Sequence, residues 1–153
     1  MKAVLQRVSA ASVTVAGEVV GAIGSGIVVL LAVERGDGAR EAARMARKIA
    51  GLRLFPDERG RMHHSVRDVE GGVLAISQFT LAANLDKGFR PSFDDAEEPQ
   101  LARGMFDLFC QRLRAEGVPV ATGRFGADMR VELVNEGPVT FILAFEAEAD
   151  DAP

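Results

Sequence analysis

At 153 residues the chain has the size of one domain, long enough to bury roughly 68–70% of its unfolded surface around a single core. Hydrophobic residues at 48% and charged residues at 26% are ordinary globular usage, which excludes a disordered or fibrous chain. A net charge of −4 and a pI of about 5.2 argue against coating long stretches of nucleic acid, so no DNA partner is expected and only a small contact with an RNA end stays open.

Arg7 interrupts the N-terminal apolar stretch and no small-residue cleavage site follows, so secretion is not expected. Ala3 to Ser9 and Ser12 to Ala16 are rich in Val, and Gly17-Glu18 precedes Val19 to Ile23, a strand followed by a hairpin. Ile27 to Val33, the longest purely apolar run, lacks polar alternation and predicts a strand buried on both faces. It is far shorter than the ~20 residues a membrane helix needs, so no bilayer span is expected.

From Ala39 to Leu52 the period changes. Ala42, Met45, Ala46, Ile49 and Leu52 share one helical stripe, with Arg40, Arg44, Arg47 and Lys48 opposite. The basic stripe reads first as a solvated helix face, with RNA phosphate contact as the alternative. Of the 18 cationic residues 15 are Arg, the better residue for forked phosphate contacts. Pro56 to Arg61 reads as loop, and Gly71-Gly72 introduces a strand over Val73 to Leu81 with an apolar start and a polar end.

Lys87 to Pro99 is a loop with an acidic cluster, and Pro99 suits the first turn of a helix, where its missing N–H is not needed. Leu101, Met105, Leu108, Phe109 and Leu113 mark that helix's buried face to about Glu116, and Gly117 stops it. Val118 to Thr122, Met129 to Val134 and Val139 to Phe145 complete about seven strands. The whole predicts one α+β domain over residues 1–145, with two long helices packed on a mixed, barrel-like sheet. Glu146 to Pro153 forms an acidic tail expected to fray.

Several chemistries lack their spacings. No G-x-S-x-G nucleophile elbow occurs, and Gly24-Ser25-Gly26 lacks the third glycine of a dinucleotide loop, so no cofactor is expected. His63 and His64 are adjacent, cannot chelate one ion through i, i+4 spacing, and read as loop residues; no metal is expected. The lone Cys110 lies among apolar residues and reads as a buried free thiol, which fits a reducing cytoplasm.

Two segments remain. Strand alternation would send Ser77, Phe79 and Leu81 to one side and Gln78 and Thr80 to the other, gathering polar groups at a strand end. In Asn135-Glu136-Gly137-Pro138-Val139-Thr140 a Gly-Pro turn would separate two strands, the glycine leaving carbonyl oxygens open to a ligand. On the residues alone, these also fit a non-catalytic module that binds an RNA end, or an interaction protein in which both are only turns.

Taken in this order, with Arg7 in the first strand, the segments resemble the D-aminoacyl-tRNA deacylase family. Phe125 to Met129 and Arg90 to Phe93 also look like family segments, and the resemblance covers roughly Met1 to Phe145. It implies ester hydrolysis of D-aminoacyl-tRNA, with glycine accepted to some degree, by a homodimer whose sites are completed across the interface. Ser77, Gln78, Phe79 and Thr80 would hold the ester, with backbone N–H groups around Gln78 and Phe79 facing the oxyanion. A cis Gly137-Pro138 would screen chirality from the partner chain, with Arg7, Asn135 and Met129 in support. The resemblance also implies that main-chain atoms and an RNA ribose hydroxyl carry the chemistry, so Thr80 is not expected to be a nucleophile. Phe89 departs from the small or polar residue expected in its loop, and the tail lies outside the resemblance.

Overall fold

The computed structural model describes residues 1–148. Strand β1 (Lys2–Val15) turns at Ala16-Gly17 into β2 (Glu18–Ile23). Both turn residues have positive φ, 49° and 81°, the twist that joins antiparallel strands tightly. The two N-terminal runs are thus one 14-residue strand. β3 (Gly26–Ala32) is buried along nearly its whole length, as its unbroken apolar run predicts.

Helix α1 (Ala39–Gly51) buries Ala42, Met45, Ala46 and Ile49. It also buries Glu41, whose carboxylate accepts the Gly38 N–H at 2.8 Å. That hydrogen bond holds the Glu41 carboxyl below its usual range and makes its burial tolerable. β4 (Phe55–Pro56) and β5 (Met62–His64) pair as a small separate hairpin. His63 and His64 therefore sit on a short strand, not in a loop, with ring centroids 5.1 Å apart.

β6 (Gly72–Ser77) is shorter than its sequence pattern, because Phe79–Ala82 coils into a 3₁₀ turn. α2 (Pro99–Ala115) starts at Pro99, and Gly117 with φ 84° follows its end. Its buried stripe is Ala102, Phe106, Phe109, Cys110 and Leu113, whereas Leu101 is exposed. Burial pushes the Cys110 thiol up to about 11, so it stays a protonated core thiol.

β7 (Val120–Thr122) and β8 (Arg130–Ala144) complete the sheet. β8 is not a hairpin: both of its halves pair antiparallel with β1, from Lys2 opposite Ala144 to Thr14 opposite Arg130. Between Gln6 opposite Thr140 and Val8 opposite Asn135, β1 advances two residues while β8 advances five. The surplus chain, with Gly137 and Pro138, bulges from an otherwise continuous strand.

The sheet runs β2-β1-β3-β6-β7, with β8 beside β1. Successive side chains face opposite ways, so it separates two cores. Ala3, Leu5, Ile27, Val29, Leu31, Val73 and Ala75 pack under both helices. Val8, Val13, Val28, Leu74 and Ile76 fill the inside of the curl. The curl nearly closes where β2 meets the end of β7: a Cβ on Gly21 would lie 2.3 Å from the Thr122 carbonyl oxygen. The Met1 amino group is buried and anchored by Glu34, Asp37 and the Phe145 carbonyl at 2.7–3.0 Å. This is the expected barrel-like α+β fold. No described helix is long and apolar enough to cross a membrane.

Candidate active site

At the carboxyl end of β6, Ser77 leaves the sheet and the Gln78 N–H still donates to the Leu31 carbonyl at 2.8 Å. The backbone then coils, with Leu81 N–H donating to the Gln78 carbonyl at 3.2 Å and Ala83 N–H to that of Thr80 at 3.1 Å. Alternation over Ser77 to Leu81 therefore fails after Gln78. The Gln78 amide, expected to face an oxyanion, is instead committed to the sheet. The amides of Phe79 and Thr80 open the turn, where N–H groups have no acceptor within the turn itself. The Gln78 side chain donates to the Thr80 hydroxyl.

Ser77, Gln78 and Phe79 form one wall of a cavity of about 690 Å³. Phe125 to Met129 form another, and Phe93, Ala96 and Pro99 close a side. These walls are fixed by the main chain: Glu97 N–H donates to Val33 O at 3.0 Å, and Arg35 donates through its backbone to Asp95 O and through its side chain to Asp94 O. Phe79 stacks edge-on against Phe93, centroids 5.2 Å apart. Arg35, Glu97, Glu98 and Asp128 bring charge to the lining, which includes neither His nor Cys.

The other expected site residues lie elsewhere. Thr80 is exposed and outside the cavity lining. Gly137 and Pro138 are exposed on the β8 bulge, and the peptide between them is cis. Behind the bulge, Arg7 donates to the Glu136 carbonyl at 2.9 Å and to the Leu54 carbonyl at 2.7 Å. Asn135 spans its base, accepting the Val139 N–H at 2.7 Å and donating to the Val139 carbonyl and the Thr140 hydroxyl. One chain thus brings Ser77, Gln78, Phe79 and Met129 to a cavity, and builds the Arg7-Asn135-braced bulge as a separate projection.

Sequence reasoning passes over Arg35, Ala96 and Glu97, whose place in the wall depends on long-range backbone bonds. The basic stripe of α1 lines a separate hollow of about 640 Å³, away from this cavity. There Glu148 pairs with Arg40 at 2.6 Å and Arg44 lies 4.3 Å over the Phe145 ring. Of the tail expected to fray, Glu146 to Pro153, Glu148 is held against α1, and residues 149–153 lie outside the described residues.

Against known proteins, the model of the D-Tyr-tRNA(Tyr) deacylase family matches residues 4–144. The D-aminoacyl-tRNA deacylase of Magnetococcus marinus is 60% identical over 144 residues, covering 94% of this chain and 95% of that protein. That of Geobacter metallireducens is 61% identical over 143 residues, with the same coverage. Among solved structures, the c-Myc DNA Unwinding Element Binding Protein superposes with a TM-score of 0.89 at 44% identity, over 96% of this chain and 100% of that one. A probable eukaryotic D-amino acid tRNA deacylase gives a TM-score of 0.82 at 18% identity, over 93% and 97%, a likeness of fold alone. With a family model spanning nearly its whole length and relatives this similar, the chain belongs to the D-Tyr-tRNA(Tyr) deacylase family.

Proposed function

We propose that this protein hydrolyses the ester joining a D-amino acid to the 3′-terminal ribose of tRNA, releasing the free amino acid and tRNA. The observation that carries this reading is the Ser77-Gln78-Phe79 wall, which combines a polar side-chain pair and an unspoken-for turn amide with a cavity of about 690 Å³. Water attacks the carbonyl carbon, the Phe79 N–H stabilises the oxyanion, and collapse breaks the bond to the ribose oxygen, which takes up a proton. A ribose hydroxyl of the substrate assists the proton transfer. Thr80, exposed and bonded to Gln78, has no imidazole in the cavity lining to activate it as a nucleophile.

Chirality is read by a second copy of the chain. Val131, Val134, Phe141 and Ile142 leave apolar side chains exposed on the two sides of β8, a strand paired along one side only and suited to a two-fold interface. Across it, the Gly137-Pro138 bulge of each protomer enters the other's cavity, so the side chain of an L-amino acid meets backbone and is excluded. Glycine, with nothing to exclude, is accepted. Residues 1–145 serve as the deacylase domain and the acidic tail lies outside it. The enzyme needs no cofactor and works in the cytoplasm, where charged tRNA is made.

Incubation with D- and L-aminoacylated tRNA, without added metal, tests this. Selective loss of the D ester is expected; binding without turnover would instead identify a module that recognises an RNA end.

A further inference from the structure

Beyond the Phe125 wall of the active-site cavity lies a second hollow of about 380 Å³, between α2 and the Thr122 to Phe125 segment. Phe125 borders both. Arg103 and Arg114 reach the second hollow from one stripe of α2, and Arg124 from the segment opposite. Asp107 is the one carboxylate in its lining, leaving a formal excess of positive charge in a chain whose net charge is −4. Among the described residues, none of the three guanidiniums has a carboxylate within salt-bridge distance, Asp107 included.

Arg114 is held by donating to the Val120 carbonyl at 3.2 Å. Arg103 lies 6.0 Å over the Phe125 ring, and that ring leans on Phe106 at 6.3 Å. The result is a cationic hollow with an aromatic face at its edge. Proteins that follow single-stranded nucleic acid combine these two elements, one for phosphate and one for a base.

We propose that this hollow, through Arg103, Arg114 and Arg124, binds the phosphodiesters of the single-stranded RNA leading into the active site, with Phe125 as the divider between phosphate and ester. The inference rests on the deacylase reading. An ester on the terminal ribose puts the first phosphodiester one sugar away from the scissile bond, and the hollow shares a wall with the cavity assigned to that ester. Guanidiniums suit the task because their planar forks match phosphate oxygens. Asp107 limits the site to a few phosphates by repelling a longer run.

The test compares two substrates: a D-aminoacyl-tRNA, and the same D-amino acid esterified to adenosine, which carries no phosphate. The Arg103→Ala/Arg124→Ala double variant should raise KM for the tRNA at least fivefold and leave hydrolysis of the adenosine ester within twofold of wild type. Its log–log salt dependence on tRNA should flatten by roughly 0.7 for each phosphate that is no longer neutralised. Arg103→Lys/Arg124→Lys should recover most of the tRNA KM. Equal losses on both substrates, or an unchanged tRNA KM and salt slope, would overturn the proposal. Should the wild type hydrolyse neither ester, the deacylase reading fails. Binding of the trinucleotide CCA then decides the phosphate site by itself: weaker binding by the double alanine variant supports it, and equal binding removes it.

Discussion

The Ser77–Ala82 corner and the Gly137-Pro138 bulge are both places where a strand stops obeying its own period, yet they differ in what surrounds them. The corner lies at a cavity whose other walls are pinned by backbone bonds from Glu97 and Arg35. The bulge stands exposed and is braced from behind by Arg7 and Asn135. One is a hollow without a plug, the other a plug without a hollow. The proposed function joins the two through a second protomer, in which an exposed and braced projection would meet a cavity.

The largest effect should come from keeping the two regions apart. Val134→Glu with Ile142→Glu places charge at two exposed apolar positions of β8 and should yield a monomer by sedimentation, with deacylation down at least a hundredfold. A fully active monomer would show that the corner works without the bulge.

A change within the bulge should act on selectivity. Gly137 has φ 147°, and a Cβ there would lie 2.6 Å from Val139 Cγ2 and 3.3 Å from an Arg7 guanidinium nitrogen. Gly137→Ala must therefore displace the bulge. The ratio of D- to L-ester hydrolysis should fall about tenfold or more by the catalytic scale of misplaced groups. An unchanged ratio would assign chirality to the cavity alone. The smallest effect belongs to the corner's own hydroxyl: Thr80→Ala should keep activity within tenfold, and a loss of a thousandfold would point to covalent catalysis.

How much of this was legible in the sequence depended on how local each feature is. β3, α1 and α2 announce themselves through unbroken apolar runs, helical periodicity, and Pro99 and Gly117 at the ends of α2. The corner misleads because Ser77 to Leu81 alternates like a strand, while the 3₁₀ turn is set by Leu81 and Ala83 bonding back to Gln78 and Thr80. Gly137-Pro138 misleads in the opposite sense. Its composition reads as a hairpin turn, but both flanks prefer β1 as partner, a pairing no local signal carries. Leu101 fits the helical stripe by spacing, yet the buried line runs one residue later, through Ala102 and Phe106. The Ser77, Gln78 and Phe79 wall was readable as a motif; the Arg35 and Glu97 that complete it were not.

The near contact of Gly21 with Thr122 is the tightest fastening of the curled sheet at its rim. Only a hydrogen atom fits between the two backbones there, so any larger side chain at that position would push β2 and β7 apart. Immediately downstream the chain enters the Phe125–Met129 wall. A close approach at the far rim of the sheet thus stands three residues from a wall of the cavity, at a glycine outside the cavity lining.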